Sequence, residues 1–509
     1  MRARLAATAV AAGLTLAACG GGGEGVDIGG EGGGGGKGGG TLVAAISGEP
    51  DQLDPHKTSA YPSFQVLENV YDTLVQPNEK LEMEPALAES WKTSKDGRTW
   101  TFALRDGVKF HNGNAFTADD VVYSYRRIID EKLANAYRFE AVKGIKAQGD
   151  DTVVITLSRA APNLLEMIGA FKGMAILDKD SAKTDLRREA NGTGPFKLES
   201  YRAGDSVELV SNGGYWGGAP KLEGVTFRFL PEAATALTNL QSGDVHWTDN
   251  VPPQQISSLK GNADVQIGQV PSNDYWYFAA NQARKPFNDV RVRQALAYAI
   301  DRESITEAAK FGAATANQTA IPESSTYYHD YAPYRHDPAK AKELLQQAGV
   351  GSLTVDLMVT NEFPETVQAA QVMSSQFKEV GITTKIRTLD FAAWLDEQGK
   401  GNFDVFMLGW LGNIDPDDFY YAQHRTGANF NFQKYSNPQV DRLLDQARRE
   451  TDEGKRKQLY DQAVKQIVDD ASYVYLYNPD VVQAWRKDVQ GYQARPDRAI
   501  RFHNATVAG

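Results

Sequence analysis

The stretch Trp100–Arg126 reads WTFALRDGVKFHNGNAFTADDVVYSYR, and it holds both patterns from which the chain is built. Trp100–Leu104 is short, apolar and aromatic, the composition of a strand. Thr117 then stands where a helix opens at Ala118, with Asp120 in its first turn and Val121, Val122, Tyr125, Ile128 and Ile129 on one face. Outward from this block the same alternation recurs. Thr41–Ser47, Thr152–Leu157, Ser206–Val210, Gly224–Leu230, Tyr275–Ala280, Leu353–Thr360, Thr384–Leu389, Phe403–Trp410 and Tyr473–Tyr477 read as strands. Asp289 precedes a helix whose buried stripe is Val292, Ala295, Leu296, Ala299 and Ile300. Asp337-Pro338 starts another, which Gly349 stops, and 364–380, 438–450 and 455–470 read as helices on the same grounds. There is no strict βαβ repeat, so the expected class is α/β with mixed sheets rather than a single barrel.

The N-terminus carries a different signal. Behind Arg2 and Arg4 an apolar run from Ala6 to Ala18 ends at Cys19, the only cysteine among 509 residues. A basic start, a short apolar run and small residues before a cut site make a secretory signal peptide, expected over 1–18. The run is too short to span a bilayer, which needs about 20 apolar residues. Leu16-Ala17-Ala18-Cys19 resembles the lipobox of bacterial lipoproteins, which implies lipidation of Cys19 and retention outside the cytoplasmic membrane. Fifteen glycines in residues 20–40 then leave too little apolar surface to offset ordering entropy, so 19–40 is expected to be a flexible leash. Its root-mean-square reach is about 25 Å.

Composition excludes several classes. The formal charge is −11, and nothing resembles a basic groove with interleaved aromatics, so no nucleic-acid partner is expected. Beyond Cys19 there is no thiol for a disulfide or for catalysis. The seven histidines form no i, i+4 pair, and no GxSxG elbow, Walker loop or dinucleotide fingerprint is present. No metal, no cofactor and no enzymatic activity are therefore expected; a secreted hydrolase is the rival from another class. About 470 residues after the leash exceed one usual core, so two or more lobes are expected.

Two clusters suggest a binding site. Tyr275-Trp276-Tyr277-Phe278 puts two rings on each face of a strand, and rings off the core face need a second surface to cover them. Gly409-Trp410-Leu411-Gly412-Asn413-Ile414-Asp415-Pro416-Asp417-Asp418-Phe419-Tyr420 follows a strand-like run, where ligand sites often lie. The three carboxylates are open to two readings here: ligand contact, or a capped helix start with acids favourable in its first turn. Calcium is the rival, but the EF-hand spacing is missing.

The order of motifs resembles the family 5 extracellular solute-binding proteins, the peptide and nickel receptors of ABC importers. The block 100–126 resembles their signature. In sequence order Leu53-Asp54-Pro55, Tyr71-Asp72-Thr73-Leu74, Pro85–Trp91, Gly192–Phe196, Tyr215-Trp216, Gly243-Asp244-Val245, Val290–Leu296 and Tyr435-Ser436-Asn437-Pro438 agree as well. The resemblance implies a two-lobed periplasmic-binding-protein-like fold with a hinge and an extra subdomain in the first lobe. Carried onto this chain, lobe I takes 41–273, with the subdomain at about 72–190, lobe II takes 274–483, and 484–509 returns to lobe I. The hinge falls near 273 and 483, and His111 and Asn112 read as turn residues. The partners implied are a peptide or other small solute and the permease subunits of an importer, with a monomeric receptor touching the membrane only through its lipid.

For the ligand the resemblance implies contacts by Ser47, Trp276, Tyr277, Asn281, Trp410, Asn413, Asp415 and Tyr420. Peptide-binding relatives hold the peptide ammonium with an aspartate shortly after the tryptophan matching Trp410. Asn413 occupies the best-matching position, and Asp415 is the alternative. A dipeptide receptor also tends to carry an arginine after the strand matching Leu353–Val359, where this chain has Thr360, Asn361, Glu362 and Phe363. The expectation is thus an oligopeptide receptor rather than a strict dipeptide one. A sugar, polyamine or metal-chelate receptor of the same family is the alternative.

Overall fold

The computed structural model describes residues 39–169, 172–181, 185–412 and 414–508, which leaves the signal peptide, Cys19, most of the leash and Asn413 outside the described residues. Within it, Trp100, Phe102 and Leu104 are buried and alternate with Thr99, Thr101 and Ala103 along the strand Thr99–Leu104. That alternation marks a sheet with one covered face. The strand lies in a four-stranded antiparallel sheet with Ala88–Thr93, Thr152–Leu157 and Val142–Ala147. Helix Ala118–Asp130 covers the sheet with Val121, Tyr125 and Ile128. The Asp120 carboxylate accepts hydrogen bonds from the Thr117 amide at 2.8 Å and hydroxyl at 2.9 Å, closing the helix start. These elements share one hydrophobic core that runs from Leu74 to Ile176.

The main sheet has twelve strands. Its order is Ile382–Leu389, Leu353–Thr360, Val405–Trp410, Tyr275–Ala280, Val474–Arg486, Trp247–Thr248, Gly39–Ile46, Leu222–Phe229, Ser206–Ser211 and Phe196–Arg202. Val265–Pro271 and Ala314–Ala316 pair onto the long strand Val474–Arg486. The cores separate along this order. One cluster holds only residues from Tyr275 to Tyr477; two others are built from residues 42–265 and 484–505. The architecture is therefore α/β and two-lobed, with a hinge and a subdomain carrying its own core.

The long strand joins the lobes. It was expected to stop at Tyr477, but it runs thirteen residues to Arg486 through Asn478-Pro479-Asp480. Ala314–Ala316 pairs with it up to Pro479, and Val265–Pro271 takes over from Asp480, so the change of partners falls a few residues before 483. Pro479 lacks an amide donor, yet its carbonyl accepts the Ser272 hydroxyl at 2.6 Å and amide at 3.1 Å. The Asn478 amide group donates to the Asp274 and Ala320 carbonyls at 2.8 and 2.9 Å. A strand can thus cross an Asn-Pro-Asp break when neighbouring chain supplies the hydrogen bonds.

Candidate functional site

Strand direction singles out one edge of the sheet as the candidate site. In one lobe Gly39–Ile46 is parallel to Leu222–Phe229 and Trp247–Thr248, and Trp247–Thr248 is antiparallel to the end of the long strand. In the other, Leu353–Thr360 is parallel to Ile382–Leu389 and Val405–Trp410. Because the long strand crosses from one lobe to the other, the carboxyl ends of both parallel sets point toward the crossing at Pro479-Asp480. Ligands of open α/β sheets bind outside such ends. Ser47, Asp249 and Asn250 stand there on the first lobe; Asn361, Phe363 and the turn after Trp410 stand there on the second.

The residues expected at the site separate into those the fold brings to this edge and those it does not. Ser47 is exposed and directly follows the strand, beside Gly48, where a Cβ would come within 2.9 Å of Pro62. Trp410 is half-buried at the last position of its strand and lies against Phe430, ring centroids 4.9 Å apart. Trp276 packs against Phe363 at 5.5 Å and Tyr477 at 6.4 Å and is 3% exposed, so it forms the floor of the edge rather than an open surface. Asn413 lies outside the described residues.

Four of the expected residues are held in packing or in hydrogen bonds of the fold. Tyr277 points to the opposite face from Trp276 and stacks on Tyr473 at 3.7 Å, 1% exposed, as part of the core. Tyr420 is buried beside Phe419 and Tyr460, inside the same core. Asn281 follows the far end of Tyr275–Ala280, about 20 Å along the strand from Tyr275. Its amide group donates to the Gly401 and Phe403 carbonyls at 3.1 and 3.4 Å, closing a turn.

Asp415 is the fourth. It caps the helix Pro416–His424 by accepting the Asp417 amide at 2.9 Å, and Arg456 grips it with two hydrogen bonds of 2.7 Å. Asn163 of the subdomain adds a bond of 3.3 Å. Asp417 meets Arg448 at 3.1 Å and the Tyr460 hydroxyl at 3.3 Å. Of the two readings the sequence left open, the capped helix start is the one observed, and arginines balance its charge. Burial nonetheless pushes the Asp418 carboxyl up to about 6, against the pull of Arg138.

A cavity of about 1180 Å³ adjoins this charged corner, between subdomain residues Trp100 and Leu165, lobe residues Tyr327 and Phe419, and Asn273 and Pro496. Phe419 stacks on Tyr275, so the cavity reaches the hinge from the face of the sheet opposite Phe363. Glu166 in its wall is pushed up to about 8 by burial and by Asp415. No group of acids, histidines and cysteines suited to a metal occurs among the described residues, and no helix there is long and apolar enough to cross a membrane.

Residues without a local signal complete the edge. Asp274, fully buried at the hinge, accepts the Gly412 amide at 2.8 Å, and Arg498 from the returning C-terminus stands 2.8 Å from its other oxygen. Asp249 and Gln65 meet at 2.5 Å nearby. Asp249 was not singled out by the sequence; its position just past the short strand Trp247–Thr248 is the only local signal it carries.

With the two lobes and their converging strand ends described, the comparisons agree with the fold. The family described as bacterial extracellular solute-binding proteins, family 5 Middle, matches residues 82–432. The chain belongs to this family. It is 30% identical to the dipeptide-binding protein of Escherichia coli K12, over 92% of this chain and 94% of that one. Among solved structures it resembles the substrate-binding protein CtaP of Listeria monocytogenes, with TM-score 0.85, 27% identity and 93% and 100% of the chains covered. It also resembles the DppA protein of Helicobacter pylori in complex with the peptide STSA, with TM-score 0.81, 28% identity and 92% and 99% covered. Family members are solute-binding receptors, and the family is extracellular.

Proposed function

We infer that this protein is the peptide-binding receptor of an ABC importer and that it captures its solute between the lobes, at the strand ends facing the Pro479-Asp480 crossing. The observation that carries the reading is the convergence of both parallel strand sets on one hinge, in a chain similar along nine-tenths of its length to a dipeptide-binding protein. Hinge closure over a solute is the motion such a fold supports. Lobe I comprises 41–273 and 484–509, lobe II comprises 274–483, and the subdomain takes about 72–190. An oligopeptide suits the site better than a strict dipeptide, because Thr360–Phe363 supplies no arginine for a nearby peptide carboxylate.

Cys19 anchors the receptor outside the membrane through an attached lipid, and the glycine-rich segment gives it reach toward the permease. Cys19→Ser is expected to release the protein from the membrane fraction while leaving solute binding intact; loss of binding would overturn the separation of tether from receptor. For the receptor itself, a peptide at one hundred times its Kd is expected to add about 2.7 kcal/mol of stability. A thermal-shift screen of peptides, sugars and polyamines reads this directly. A flat response to every peptide overturns the peptide assignment, and native mass spectrometry of freshly purified protein identifies what it has retained.

A further inference from the structure

The subdomain touches the second lobe at the start of helix Pro416–His424. Tyr137 meets Phe430 edge-on, ring centroids 6.3 Å apart. Asn163 donates to Asp415 at 3.3 Å, and a Cβ on Gly97 would come within 3.3 Å of Thr451. Acids crowd this contact, and arginines answer all but one of them. Asp415 has Arg456, Asp417 has Arg448, and Asp418 draws on Arg138 of the subdomain. Glu140 lies 3.8 Å from Arg159 and 3.5 Å from Arg448. Glu166 faces Asp415 and Asp418 from the subdomain and is in no ion pair among the described residues. The cavity beside it adds Glu450, Glu453 and Lys457 of the second lobe and Glu79, Lys80 and Glu82 of the subdomain. Glu166 Oε2 is sealed from solvent without a hydrogen-bond partner, and so is Oδ1 of Asn163 three residues earlier.

Arg456 is the cation that acts on Glu166, and Asp415 already holds both of its end nitrogens. An acid left over in a closed contact is costly while it stays ionised. A proton removes the surplus charge and turns one of two orphaned acceptors into a donor. We propose that Glu166 and the Asp415–Asp418 helix start form a proton-operated latch between the subdomain and the second lobe, protonated when the lobes close over solute and ionised when they part. Away from the second lobe the carboxyl regains water and loses Asp415, so it returns toward its ordinary value near 4.5. In the closed contact burial and Asp415 hold it up at about 8. Closing therefore takes up a proton near neutral pH. Acid favours it, and the advantage fades as pH climbs to about 8.

This inference rests on the receptor reading above and adds a control on its closure. The first test is titration calorimetry of a casein peptide hydrolysate into the full chain at pH 7, in phosphate and in Tris, whose different ionisation enthalpies count the protons taken up. The wild type is expected to take up about one proton per receptor saturated, and Glu166→Gln close to none. Wild-type affinity is expected to fall about tenfold or more from pH 6.5 to 8.5, while that of Glu166→Gln stays level. Working above pH 6.5 keeps Asp418, pushed up to about 6, mostly ionised. Binding without proton uptake, or equal uptake by the variant, overturns the latch and leaves the peptide receptor standing. The second test needs no solute. Spin labels on Lys146→Cys and Arg442→Cys, both exposed positions, in a Cys19→Ser chain read the distance between subdomain and second lobe at pH 6.5 and 8.5. The expected result is a larger share of short distances at pH 6.5, kept at pH 8.5 by Glu166→Gln. The same distribution at both pH values overturns the latch whether or not the hydrolysate binds. A pH-dependent distance in a protein that ignores the hydrolysate keeps the latch and overturns the peptide.

Discussion

Asp415 and Arg456 form a bidentate pair, both contacts 2.7 Å, with neither side chain more than 5% exposed. The pair ties the start of helix Pro416–His424 to helix Glu453–Asp469, and Arg456 also donates to the Ala447 carbonyl at 3.2 Å. Removing one partner strands a buried charge, which costs about 3–5 kcal/mol. Asp415→Ala is therefore expected to lose that much stability in denaturant unfolding, while solute affinity measured on the folded fraction stays within twofold. A selective loss of affinity at unchanged stability would return Asp415 to the binding site.

Arg498 and Asp274 link the returning C-terminus to the hinge. Arg498→Met leaves Asp274 buried and unpaired, so a loss of about 3–5 kcal/mol is expected. Asp274→Asn in the same chain should recover part of it, giving a coupling of at least about 1 kcal/mol in a double-mutant cycle. Additive losses would mean the two side chains are neighbours without being partners.

Glu166 makes stability depend on pH. Its carboxyl, ordinarily near 4.5, is pushed up to about 8 by burial and Asp415. A group whose pKa rises on folding binds a proton as the chain folds. Its contribution is full below about 4.5 and is lost as pH climbs to about 8, by at most about 1.4 kcal/mol per pH unit. Asp418 and Asp249 act in the same sense over a window ending near 6. Burial lowers the pKa of His56, His111, His246 and His424, which raises stability with pH up to about 6.5, so the decline is read above that range. Unfolding measured at pH 7 and 8.5 should show stability falling with pH, and Glu166→Gln should flatten that decline. An unchanged slope in that variant refutes the assignment.

Tyr277 stacks on Tyr473 in the core at 3.7 Å. Tyr277→Ala is expected to cost about 3–5 kcal/mol, as large aromatic truncations in cores do. Tyr277→Phe keeps the ring and should leave solute-induced stabilisation intact. If the phenylalanine variant folds normally but loses solute binding, the hydroxyl belongs to the site after all.

Local pattern carried much of the fold. Tyr275–Ala280, Leu353–Thr360 and Thr152–Leu157 form as strands over the ranges their composition suggested, and Thr117-Ala118 opens its helix as read. These signals are legible because alternation, capping and apolar runs act within a few residues. The long strand was legible only in its first half. Asn478-Pro479-Asp480 looks like a break until Ser272 and Asp274 supply the missing hydrogen bonds from some two hundred residues away.

The site was legible as an edge but not as a set of side chains. Trp276 and Tyr277 are neighbours of the same chemistry, and the pleat sends one toward Phe363 and the other into the core; which is which depends on the sheet's two coverings. Asp415 and Asp249 are both acids just past strands, yet Arg456 neutralises the first and no lysine or arginine pairs with the second among the described residues. The order of motifs, by itself, determined the family and the two-lobed fold class, because those follow from chain-local patterns in sequence. Only the tertiary structure decided which carboxylates are paired with arginines, since charge balance in a buried site is set by groups brought together from across the whole chain.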